Sequence, residues 1–130
     1  MTKADLEQIY YLDREIRIWE RELGALKNCS LVGSPVPNAI HGSGISDKVA
    51  AQAEKTIELE NRIREKKKEL EQQRSLVLNF ILDIPDSFTR QIVHCRCVKL
   101  MSWRKVACAV GGSNTADSVR MAYDRFMKNL

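Results

Sequence analysis

Nowhere in its 130 residues does the chain hold an uninterrupted apolar run of about 18 residues, and no short apolar segment follows Met1. Membrane spanning and secretion are therefore not expected. Cysteine is sparse: Cys29, Cys95, Cys97 and Cys108 make up the whole complement. Cys95 and Cys97 lie two apart beside His94, a spacing that a helix does not bring onto one face. Paired cysteines separated by roughly two to four residues, the usual structural-zinc arrangement, are missing. The thiols read as reduced side chains of a cytoplasmic protein, and no metal is expected. Catalytic signatures are also lacking. No nucleophile, base and orienting group can be placed together, and Gly42-Ser43-Gly44 and Gly111-Gly112 lack the strand–loop–helix context of a phosphate loop. The isolated His41 reads as a solvated loop residue. Neither an enzyme nor a cofactor is expected.

What the chain does have is helical periodicity. With 44% hydrophobic residues it can build one small domain, or a compact domain with an extended element. Leu6, Ile9, Leu12, Ile16, Trp19, Leu23 and Leu26 recur every three or four positions, with Glu7, Asp13, Arg14, Glu20 and Arg21 between them. This spacing predicts an amphipathic helix of roughly 26 residues, about 39 Å long. Asn28 to Ser46 gathers Gly33, Pro35, Pro37, Gly42 and Gly44, the signature of a loop. A second long helix is expected from Ser46, acting as N-cap with Asp47 beside it. Val49, Ala53, Thr56, Ile63, Leu70, Val77 and Ile81 form its seam, broadened by Leu59 and Phe80 and interrupted or bordered by Glu60, Lys67 and Gln73. The run from Arg64 to Glu69 reads as a solvated face. The expected architecture is all-α: residues 1–83 form an antiparallel two-helix coiled-coil arm with a loop at about 28–46, and residues 84–130 form a small helical domain. A two-helix arm leaves apolar area that a second copy would cover, so a homodimer through the arm is expected.

Charge divides the chain in the same place. Residues 1–27 carry five bases and six acids, and residues 46–83 carry eight of each. From Ile84 onward eight bases face only Asp86, Asp117 and Asp124, so the whole net charge of +4 is owed to the C-terminal piece. A local surplus of this kind creates a field for a polyanion.

Within that piece, Ile84-Pro85 ends the second helix, because the residue before proline is driven out of helical geometry. Asp86 or Ser87 caps a third helix, with Phe88, Ile92, Cys95 and Val98 inward. After a break around Lys99 to Met101, Ser102 caps a short helix from Trp103 to Val110 that turns Trp103, Val106, Ala107 and Val110 to one side. Gly111-Gly112 stops it, since glycine tolerates the positive φ of a C-terminal turn. Thr115 is the preferred cap of the last helix, with Asp117 in its first turn and Val119, Tyr123, Phe126 and Leu130 as its buried stripe. Two short helices joined by a glycine turn and backed by a third make a helix-turn-helix. In that geometry Ser113, Asn114, Thr115, Ser118, Arg120 and Met121 face base edges, and Arg104, Lys105, Arg125 and Lys128 reach phosphates.

From about Asp86 to Leu130 the chain resembles the sigma-70 region 4-like helix-turn-helix of small phage and prophage regulators. The resemblance runs through Ser102-Trp103-Arg104-Lys105-Val106-Ala107, Gly111-Gly112 and the stretch from Asp117 to Phe126. By position, Ser102 matches the cap of the first motif helix, Ala107 its small packing residue, and Ser118-Val119-Arg120 the opening of the recognition helix. The connection from Gly111 to Thr115 is at least one residue longer than the common sigma pattern. The resemblance implies binding to double-stranded DNA in the control of phage or prophage transcription, with RNA polymerase as a protein partner. Two other readings share the same pattern: a terminase small subunit-like packaging component, and a helical protein adaptor. A ring of many copies would mark packaging, and a monomer or dimer would mark regulation.

Overall fold

The computed structural model describes residues 1–32 and 43–130, with side chains described for residues 1–28 and 47–130. Among these residues the protein is all-α, with five helices. The first, α1 (Lys3–Val32), and the second, α2 (Ser43–Leu82), are long and pack antiparallel. Three short helices follow: α3 (Ser87–Val93), α4 (Trp103–Val110) and α5 (Ala116–Lys128). The helices thus run further into the expected loop than anticipated. Helix α1 continues past Asn28 to Val32, and α2 begins at Ser43, so Ser46 lies within its first turn and is not its cap. The glycines and prolines from Gly33 to Gly42, and His41, lie outside the described residues.

Helix α1 starts where its first turn is locally satisfied. The Thr2 hydroxyl accepts the Asp5 amide at 3.3 Å, and the Asp5 carboxylate accepts the Thr2 amide at 2.8 Å. The Thr2 amide, and the Thr2 hydroxyl donating to the same carboxylate oxygen at 2.9 Å, hold the Asp5 carboxyl below its ordinary pKa. At the far end of α2, the amides of Asp83 and Ile84 fold back onto the carbonyls of Phe80 and Ile81, and Pro85 prevents continuation.

The chain packs as two compact units: residues 14–68, and residues 1–13 together with 69–130. In the first unit α1 and α2 face each other through Ile16 and Ile63, both 6% exposed. Ion pairs flank this contact, Lys67 to Glu20 at 2.8 Å and Lys27 to Glu60 at 3.0 Å, and the Gln52 amide donates to the Leu26 carbonyl at 3.0 Å. Partners descend α2 as they ascend α1, as antiparallel pairing requires. Three expected seam residues are not in it: Trp19 is 40% exposed, its indole N–H bonded to Glu15 on its own helix, Val49 is 63% exposed, and Ala53 is exposed as well. A period of 3.6 drifts around a straight helix, so a stripe drawn at spacings of three and four leaves the contact line after a few turns.

The second unit holds most of the buried apolar side chains. Leu6, Ile9 and Leu12 of α1 and Leu70, Val77 and Ile81 of α2 are buried, as are Ile92, Val106, Val119 and Tyr123 from the short helices. Leu70 and Val77 continue the seven-residue spacing begun at Ile63, so the heptad holds on this side of α2. The Phe80 and Phe126 rings meet at 6.3 Å between centroids, and Trp103 meets the edge of Tyr123 at 5.1 Å.

Two stripes in this unit differ from expectation. Along α3 and the turn that follows it the buried residues are Ile92, Val93 and Cys97, while Cys95 and Val98 are half-buried. The cause is a π-helical turn over His94–Val98, closed by the Lys99 amide on the His94 carbonyl at 3.2 Å. One added residue per turn rotates the following side chains, so Cys97, five positions after Ile92, takes the inward place. On α5 the stripe is Val119, Tyr123 and Met127. The helix stops at Lys128, leaving Leu130 beyond the Asn129 cap and 43% exposed.

Candidate nucleic-acid interface

The connection between α4 and α5 is built from residues whose chemistry it needs. Ser102 caps α4 by accepting the Lys105 amide at 3.4 Å, and Val106 and Ala107 turn inward. Gly111, at φ 77° and ψ −160°, occupies a region that is essentially open to glycine alone. Gly112 follows at φ 66°. The Asn114 side-chain amide then donates to the Gly111 carbonyl at 2.9 Å, tying the turn to the end of α4.

Helix α5 opens with a reciprocal cap. Thr115 Oγ1 accepts the Ser118 amide at 3.2 Å, and Ser118 Oγ accepts the Thr115 amide at 2.9 Å. The Ser118 hydroxyl has the Thr115 carbonyl at 3.0 Å and Asn114 Oδ1 at 3.3 Å as acceptors for its single proton. Three of the six residues expected at base edges, Asn114, Thr115 and Ser118, therefore spend their polar groups on the turn itself. The other three are presented outward. Ser113 is exposed, Met121 is 57% exposed, and Arg120 projects a side chain that is half exposed beside Asp117 at 3.5 Å. An ion pair this wet holds the guanidinium weakly, so the Arg120 donors remain exchangeable with another acceptor.

The four residues expected at phosphates are all exposed: Arg104 and Lys105 on the first turn of α4, and Arg125 and Lys128 on the last turn of α5. Arg125 and Lys128 also suit the negative end of the helix dipole. Asp117 and Asp124 share the outer face of α5 with these bases, so its surface is mixed in sign and its net positive character rests on the flanks.

One basic residue that charge counting grouped with the others has an internal task. Arg96 is half-buried, donates from Nη1 to the Met101 carbonyl at 2.8 Å, and lies over the Trp103 ring at 4.2 Å. Behind α5, the Tyr123 hydroxyl and Cys97 Sγ are 3.5 Å apart, and burial pushes both groups above their ordinary pKa values. Both stay neutral at physiological pH and serve as core. Among the described residues no three His, Cys, Asp or Glu side chains gather as a metal site, and no helix is long and apolar enough to cross a membrane.

No protein-family model, curated protein or solved structure matches this chain.

Proposed function

We propose that the chain binds double-stranded DNA through α5, with sequence preference, as a regulator of transcription in the phage or prophage setting that the resemblance of its last third implies. One observation carries the reading. Val119, Tyr123 and Met127 anchor α5 from behind, while Arg120, Met121, Arg125 and Lys128 on the same helix stay in water. A helix anchored on one side and wet on the other can enter a major groove without unfolding anything. Arg120 suits guanine, whose O6 and N7 accept a forked donor, and Met121 suits a thymine methyl. Arg104 and Lys105 supply phosphate contacts that fix the register. RNA polymerase is the protein partner proposed with this activity, and the arm is the proposed surface for a second copy.

Selection of bound duplexes from a random pool, followed by footprinting, tests the proposal. One enriched site is expected, and Arg120→Ala should relax preference at one base position at a cost of about 1–3 kcal/mol. A pool that stays random through repeated rounds would remove sequence-specific regulation as the function.

A further inference from the structure

The compact unit of residues 1–13 and 69–130 carries a solvent-open cavity of about 320 Å³ at its surface, away from the outer face of α5, with Tyr10 and Tyr11 on its exposed side. Aromatic rings form much of its wall: Tyr10 and Tyr11 from α1, Trp103 from α4 and Tyr123 from α5. Two side chains of opposite charge line it as well, Glu7 and Arg96. Both share that wall with Cys97 and Tyr123, on which they act electrostatically with opposite sign. One Arg96 nitrogen is used on the Met101 carbonyl, and a guanidinium carries five N–H donors in all. Glu7 is half-buried and meets Lys3 at 3.8 Å, a long and wet ion pair.

The backbone around this cavity departs from regular geometry in two places. The π-helical turn that swings Cys97 inward also brings Arg96 to the wall. Leu100, also at the wall, sits at φ 55°, a left-handed conformation that ends the turn where glycine is usual. Its cost is on the order of 1 kcal/mol, and the chain retains it with a leucine side chain lining the space. A turn made with glycine would close the helix without that side chain.

We propose that this cavity binds a small zwitterion of the aromatic amino acid type. Its ring would lie among the tyrosines and Trp103, its carboxylate on the remaining Arg96 donors, and its ammonium on Glu7. The volume stands at the low end of ligand sites, which fits a molecule of that size and no larger cofactor. Walls of opposite charge favour a ligand that carries both charges, because a singly charged one meets only one of the two. The inference holds whether or not the chain binds DNA.

Calorimetric titration of the full chain with L-tryptophan, tryptamine and indole-3-propionate tests it. Tryptophan should bind roughly tenfold or more tightly than either singly charged analogue. Glu7→Gln should weaken tryptophan and tryptamine while sparing indole-3-propionate, and Arg96→Lys should do the reverse. Arg96 also supports Met101, so the Glu7→Gln comparison stands by itself if Arg96→Lys fails to fold. Absence of binding by all three compounds at millimolar concentration, or equal binding of all three, would overturn the proposal.

Discussion

Residues 14–68 and the unit formed by residues 1–13 with 69–130 use the same two long helices in different ways. In the first, Ile16 and Ile63 are the buried apolar side chains among the described residues, and exposed ion pairs and one amide bond do the rest. In the second, the helix ends become walls for three further helices, and Ile9, Val77, Ile92, Val93, Val106 and Val119 lose all contact with water. The difference teaches where stability resides. Apolar burial contributes about 25 cal/mol per Å², whereas exposed ion pairs contribute about 0–1 kcal/mol each. The unit that carries the basic surface should therefore be the sturdier, and the pair of helices at residues 14–68 the more easily opened or covered by a second copy.

The largest test of that contrast is a pair of core truncations. Ile92→Ala should cost about 4 kcal/mol and Ile63→Ala about 2 kcal/mol, read from urea midpoints. Equal costs would break the contrast. If the arm pairs with a second copy, the Ile63 effect alone should change with protein concentration. Next comes Gly111→Ala. Its Cβ would meet no atom within 4 Å, so a loss of about 1–3 kcal/mol would report backbone strain alone. Thr115→Ala should cost about 1 kcal/mol by removing one half of the reciprocal cap at α5. Lys27→Ala and Lys67→Ala, which remove exposed ion pairs of the other unit, should each move stability by less than about 0.5 kcal/mol and lose even that in high salt.

A smaller pH effect sharpens the same contrast. Burial, with Lys99 nearby, pushes the His94 imidazole below its ordinary pKa. The folded state then prefers neutral histidine, so its contribution is present above about pH 6.5 and is lost as pH falls through the depressed value. His94→Gln should flatten the stability of this unit across that window, as followed by the near-ultraviolet signal of Trp103.

Much of the short-helix region is legible in the sequence because its signals are local. Asp86, Ser102 and Thr115 each cap the helix they precede, and the positive φ at Gly111 lies where the chain needs to turn. Val106, Ala107, Val119 and Tyr123 are inward because their spacing obeys an unbroken α period. The signals fail where the period changes. A π turn cannot be read from a 3.6-residue stripe, so Cys97 replaced Cys95 in the core. Phe126 and Met127, three and four positions after Tyr123, both satisfy the helical period; Met127 is buried and the expected Phe126 is half-buried, while Leu130 falls beyond the end of α5. The candidate site divides in the same manner. Exposure of Arg120 and Met121 follows from the stripe behind them, whereas the mutual bonds of Asn114, Thr115 and Ser118 depend on rotamers that the sequence does not display. The cavity joins Glu7 and Tyr10 to Arg96 and Trp103 across some ninety positions, a juxtaposition that only folding creates.

The central claim is that the wet face of α5 and the first turn of α4 form a surface for duplex DNA. Titration of salt against binding to a labelled duplex, for the native chain and for Arg104→Ala/Lys105→Ala, addresses it most directly. The native complex should weaken steeply as salt rises, and the double variant should bind less tightly with a logarithmic slope shallower by about 0.9 for each phosphate contact removed. No binding to any duplex at low salt, phage late-promoter DNA included, or a slope that the two substitutions leave unchanged, would contradict it.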